Sequence, residues 1–120
     1  MPSRSKNLQV RLAIAGLGTI GLEVARRVDR GEITNMVVSA VSGRDRNKAK
    51  RNIANFNTVP EVLPINELAK NADVVLECAP KPLFAELAHS VISNGRIFMP
   101  LSVGALLENI DIAASGHGLK

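Results

Sequence analysis

Three glycines, Gly16, Gly18 and Gly21, stand in the run Ala13 to Gly21 (AIAGLGTIG) at the spacing G-x-G-x-x-G. Each can do a different task around a bound pyrophosphate. The first permits a tight turn out of a strand, the second lets the backbone come close to the phosphates, and the third lets helix and strand pack tightly. The helix that such a loop opens also presents free N–H groups and the positive end of its dipole, here from Gly18, Thr19 and Ile20 onward. The competing reading is a glycine-rich turn that only packs a helix on a strand. Context decides between them, because the motif means dinucleotide binding when it closes a strand and opens a helix inside a βαβ unit.

A second candidate lies 21 residues after Gly21, in Ser42-Gly43-Arg44-Asp45-Arg46. An Asp or Glu at the end of a second strand accepts hydrogen bonds from the adenine ribose hydroxyls, and Ser42 occupies that place. A hydroxyl beside guanidinium groups suits a ribose 2′-phosphate, which Arg binds in a bidentate fashion. The reading therefore favours NADP slightly over NAD, with use of both open. Two alternatives stay open: Arg44, Arg46, Lys48, Lys50 and Arg51 form only a solvated basic helix face, or Asp45 still reaches a ribose.

The remaining reactive side chains carry less. Cys78 is the only cysteine, so no internal disulfide forms, and its apolar surroundings suggest a buried small hydrophobe rather than a nucleophile. Glu77 reads as a strand-end carboxylate facing solvent. His89 falls on the polar side of a helix, and His117 sits in the terminal GHG. Two imidazoles and one thiol make no structural metal site by their spacing.

The elements that hold these residues follow from hydropathy patterning. Gln9 to Ala15 reads as a strand, and Ile20, Val24, Ala25 and Val28 then recur at helical spacing up to Gly31. Met36 to Val41 is a nearly continuous apolar run, as in a strand buried on both faces. A basic helix over Lys48 to Asn55 follows, then a weaker edge strand over Asn57 to Leu63, interrupted by Pro60, and a short helix over Ile65 to Asn71. Ala72 to Pro80 is a fourth strand, and Pro82 suits the first turn of a helix that runs to Asn94-Gly95. Arg96 to Ser102 is a fifth strand, followed by a helix over Val103 to Ser115. The alternation predicts an α/β fold, a doubly wound parallel sheet of Rossmann type in three α/β/α layers.

Composition narrows the function classes. With 120 residues, 46% of them hydrophobic, the chain is long enough for one domain with its own core and too short for two domains. The net charge of +4 permits an anionic partner, yet aromatics at 2% leave almost none of the stacking surfaces that single-stranded nucleic acid needs. No nucleic-acid partner is expected. The start MPSRSKN lacks the apolar run of a signal peptide, and no stretch of about 18 apolar residues exists to span a bilayer. A cytoplasmic protein without a membrane partner is expected.

GLGTIG, AVSGRD, ADVVLECAP and above all PLSVGAL resemble the N-terminal domain of the L-aspartate dehydrogenase family, itself related to dehydrogenases of the homoserine type. The resemblance covers nearly all of the chain. It implies that Ala79 and Pro80 lie by the cofactor ribose and nicotinamide side, and that Ser102, Val103 and Gly104 line the nicotinamide pocket. Ser102 has an equal reading as the N-cap of the following helix. The implied activity is reversible NAD(P)-dependent oxidation of L-aspartate to an imino acid that hydrolyses to oxaloacetate, on a route toward NAD biosynthesis.

In the family the acid or base and the cations for the substrate carboxylates come from a second domain, so no catalytic residue is carried over. The ending GHGLK looks as if another strand should follow, and the expectation is a truncated cofactor-binding part, inactive alone and self-associating through uncovered helix faces. A dinucleotide-sensing regulatory module is the alternative of a different class. Homoserine, dihydrodipicolinate and inositol dehydrogenases share such a first domain in outline.

Overall fold

A computed structural model of the chain describes residues 9–79 and 81–101. Five strands, β1 (Val10–Ala15), β2 (Met36–Ser42), β3 (Glu61–Val62), β4 (Val74–Glu77) and β5 (Ile97–Pro100), form one sheet in the order β3-β2-β1-β4-β5. All four pairings are parallel. Helices α1 (Thr19–Asp29), α2 (Arg46–Ile53) and α3 (Phe84–Ser93) make the crossovers together with short 3-10 turns. This is the doubly wound architecture that the alternation predicts.

The strands alternate their side chains between two cores. On one face Leu12, Ile14, Val38, Val41, Val74 and Leu76 meet Ala25 and Val28 of α1 and Ala49 and Ile53 of α2. On the other, the small residues Ala13, Ala15 and Ala40, with Val75 and Phe98, lie under Phe84, Leu87, Ala88 and Val91 of α3. The Phe84 and Phe98 rings meet edge to face, with centroids 5.4 Å apart, the geometry that aromatic quadrupoles favour. Small strand residues thus lie under the bulky side chains of α3, while branched strand residues line the face below α1 and α2.

The order of strand addition reverses between β1 and β4. After β1 the chain builds outward through β2 to β3, then crosses back to start β4 on the other side of β1. The helix that follows β1 and the segment that follows β4 therefore leave toward opposite faces, and a crevice opens at the carboxyl ends of these two strands. The glycine loop lies there.

One irregularity adjusts the phase of β2. Leu12 pairs with Val38, but the next residue, Ala13, pairs with Ala40, so Ser39 is an extra residue in a β-bulge. Its hydroxyl donates to the Asn71 carbonyl at 2.6 Å. The bulge allows Val38 and Val41 to share one face although three positions separate them.

Several elements are shorter than their sequence patterns suggest. The third strand is only Glu61–Val62 at the sheet edge, because the Asp29 carboxylate takes the N–H groups of Asn57 and Thr58 at 2.8 and 3.0 Å. The expected helix over Ile65 to Asn71 is two successive 3-10 turns, Ile65–Glu67 and Ala69–Asn71. Before β4, Asp73 is engaged by Arg11 through its backbone N–H at 2.9 Å and its guanidinium at 3.2 Å. Pro82 lies in a 3-10 turn, Lys81–Leu83, that leads directly into α3. The expected helix over Val103 to Ser115 and the candidate residues Pro80, Ser102 and His117 fall outside the described residues.

Candidate functional site

Each glycine of the loop has a separate physical reason to be glycine. Gly16 adopts φ +97°, and a Cβ there would lie 2.6 Å from the Cys78 carbonyl oxygen. A side chain at Gly21 would run into the Gly16 carbonyl oxygen and press on the Ile14 side chain at 3.1 Å, so this glycine sets the contact between α1 and β1. At Gly18 a Cβ would meet nothing within 4 Å. Its absence relieves no internal clash and leaves the space above the backbone clear for something else.

Ser42 supports the loop from the neighbouring strand. Its carbonyl oxygen accepts from the N–H groups of Gly16 and Leu17 at 3.1 and 2.8 Å, and its hydroxyl accepts from Gly16 N–H at 3.2 Å. Only 5% of the residue is exposed. These bonds satisfy the N–H groups of Gly16 and Leu17. Gly18 is the N-cap of α1 and brings no side-chain cap. The first helical bond runs from Leu22 N–H to Gly18 O at 2.8 Å, so the N–H groups of Thr19, Ile20 and Gly21 belong to the first turn, which has no intrahelical acceptor. No acidic residue stands in that turn.

Two clefts flank the loop. The larger, about 620 Å³, is lined by Gly16, Gly18, Gly43, Arg44, Asp45, Lys48, Cys78 and Ala79. The smaller, about 320 Å³, is lined by Gly16, Gly18, Thr19, Ile20, Gly21, Cys78 and Leu101. Gly16, Gly18 and Cys78 border both. One cleft is therefore cationic on its outer wall, the other has an apolar rim at Ile20 and Leu101, and amide donors lie between them. A dinucleotide has this layout, with a pyrophosphate joining two nucleosides, and the open approach at Gly18 fits its charged centre.

The basic run after β2 is divided by the fold. Arg44 and Lys48 border the larger cleft, whereas Arg46 and Lys50 border a separate groove beside Val59 and Glu61. Asp45 is the N-cap of α2, its carboxylate accepting from Lys48 N–H at 3.0 Å. Sequence reasoning singled out Arg44 but not Lys48. The signal was present as Asp45 followed three residues later by Lys48, which places Lys48 in the first turn beside the capping carboxylate.

Glu77 corrects an expectation. It does not face solvent but is fully buried, and its Oε1 accepts from Leu101 N–H at 3.1 Å. Parallel pairing of β4 and β5 brings the start of the exit from β5 over this carboxylate. Cys78, next along, is half-buried at the junction of the two clefts. Burial, reinforced by the Glu77 charge, pushes its thiol up to about 11. Ala79 is buried beside Gly16. His89 is exposed on α3. Among the described residues no group of three His, Cys, Asp or Glu side chains could hold a metal, and no helix is long and apolar enough to cross a membrane.

Comparison with known proteins agrees with this geometry. Residues 16–114 match the family model described as "Homoserine dehydrogenase, NAD binding domain". The chain is 37% identical over 112 residues to L-aspartate dehydrogenase of Bradyrhizobium diazoefficiens, covering 93% of this chain and 39% of that protein. It is 39% identical over 104 residues to L-aspartate dehydrogenase 3 of Bordetella bronchiseptica, covering 87% and 38% respectively. The chain thus spans about two-fifths of the length of these relatives. In fold it is similar to myo-inositol dehydrogenase of Lactobacillus casei in complex with NAD(H) and myo-inositol, with a TM-score of 0.75 at 15% identity over 92% of this chain and 34% of that one.

Proposed function

We propose, for a chain that belongs to the homoserine dehydrogenase NAD binding domain family, that residues 9–101 cradle NAD or NADP for the oxidation of L-aspartate. In this reading the pyrophosphate lies over Gly18 at the start of α1, held by first-turn N–H groups and the helix dipole. The adenosine ribose lies toward Arg44 and Lys48, and the nicotinamide half lies toward Cys78, Ala79 and Leu101. When bound, the nicotinamide carries the hydride. The chain's own residues bind and orient it: Gly16 and Ser42 set the loop, and Gly21 sets the helix.

The substrate assignment is supported by the names of the relatives, both L-aspartate dehydrogenases. The product would be an imino acid that hydrolyses to oxaloacetate, with a link to NAD biosynthesis. Self-association belongs to the same reading and is supported by Ile97 and Met99 of β5 and Leu101 just after it, each 47% exposed.

The observation that carries the proposal is the open approach at Gly18 between two clefts. Calorimetric titration with NADPH and NADH, on the chain and on Arg44→Ala, tests it. The expected outcome is tighter binding of NADPH, weakened about tenfold in the variant, as for the loss of one charge-assisted contact, with NADH unchanged. Equal binding of both by the unaltered chain removes the 2′-phosphate from Arg44. Binding of neither sinks the proposal.

A further inference from the structure

We infer that Glu77 is a positioning residue, which holds the chain where it leaves β5 and so fixes the wall of the smaller cleft. The inference rests on the dinucleotide reading above and adds to it a residue that touches no ligand. A carboxylate is costly to bury unless its oxygens are hydrogen-bonded, and Glu77 is buried completely at the end of the strand that borders the site. An apolar side chain would fill this place without that cost, so the acceptor itself is the distinguishing feature.

The group it accepts from is well defined. The ladder between β4 and β5 ends where Glu77 pairs with Pro100, and proline has no N–H to give. Leu101 carries the first donor beyond it, and that N–H is shared between the Glu77 carbonyl oxygen and Oε1, each at 3.1 Å. Strand and side chain of one residue thus hold one amide. Leu101 in turn lines the smaller cleft opposite Thr19 and Ile20, and it does not line the larger one. Moving Leu101 alters the nicotinamide side and leaves the wall made by Arg44 and Lys48 in place.

This split supplies the test. Dissociation constants for NADH and for ADP-ribose, which lacks the nicotinamide, are measured on the 120-residue chain, on Glu77→Gln and on Glu77→Asp. Gln keeps an acceptor oxygen at the same reach, so both ligands should bind within about twofold of the unaltered chain. Asp keeps a carboxyl group but is one methylene short, so NADH should weaken about tenfold while ADP-ribose stays within about twofold, one decade being the loss of about one hydrogen bond. Equal losses for both ligands with Asp, or no loss for either, overturn the positioning role. Amide exchange at Leu101 in the unaltered chain covers the case in which Glu77→Asp does not fold. NADH should slow that exchange and ADP-ribose should not, and equal effects overturn the inference. If the unaltered chain binds neither ligand, the dinucleotide reading itself falls, and the inference with it.

Discussion

Gly18 and Gly21 differ in role, and substitution separates the two roles. Gly18→Val places a side chain in open space, so the thermal midpoint should hold while dinucleotide affinity falls by about a hundredfold or more, equivalent to some 2.7 kcal/mol of lost approach. Gly21→Ala should do the reverse first: it forces α1 off β1 and costs about 1–3 kcal/mol in denaturant unfolding, as overpacking does. Cys78 gives a pH prediction. A thiol raised to about 11 is protonated at neutral pH, so its alkylation by iodoacetamide should climb about tenfold per pH unit through pH 10, where an ordinary thiol has already levelled off. Bound NADPH should slow it, since Cys78 borders both clefts. A rate flat above pH 9 would contradict the raised value. The three glycines were legible in the sequence because their spacing between a strand and a helix is itself a local pattern. Glu77 was not, because the Leu101 N–H that it accepts from lies 24 residues further on.

At the scale of elements, α1 and α2 begin in opposite ways. The first has a bare glycine cap, and the second is closed by Asp45. Asp45→Ala should lower stability to urea by about 1 kcal/mol, the usual loss of a side-chain cap. It should leave NADH affinity within about twofold, because the carboxylate serves the helix. A large loss of NADH binding with unchanged stability would instead assign Asp45 to the ribose. Hydropathy patterning found every strand near its place, since apolar runs of four to seven residues are an intrinsic property of strands buried on both faces. It overran the third strand, because nothing near Asn57 and Thr58 in sequence announces that Asp29 will take their N–H groups. The helix over Ile65 to Asn71 was misread in kind, as its few apolar residues fit a 3-10 turn equally well.

For the whole molecule, ligand and fold are linked. A dinucleotide that binds only the folded chain should add about 2.7 kcal/mol to unfolding at a hundred times its dissociation constant, read as a midpoint that rises with concentration. Gly18→Val should abolish that rise, and a midpoint insensitive to NADPH and NADH alike would deny binding to the folded state. The sheet order was legible only as a class, because patterning marks strands but not their neighbours. The extra residue at Ser39 has a further consequence. In a strand, direction is a matter of parity: odd and even positions look opposite ways. Were Ser39 instead to pair regularly with Ala13, Met36 to Val38 would stay where they are and every later position of β2 would slip by one, so that Val41 would take the place opposite Ala15 that Ser42 now holds. The support beneath Gly16 would then lose its hydroxyl acceptor and keep only a backbone carbonyl. A bulge near the middle of a strand thus keeps count for a loop at the strand's end.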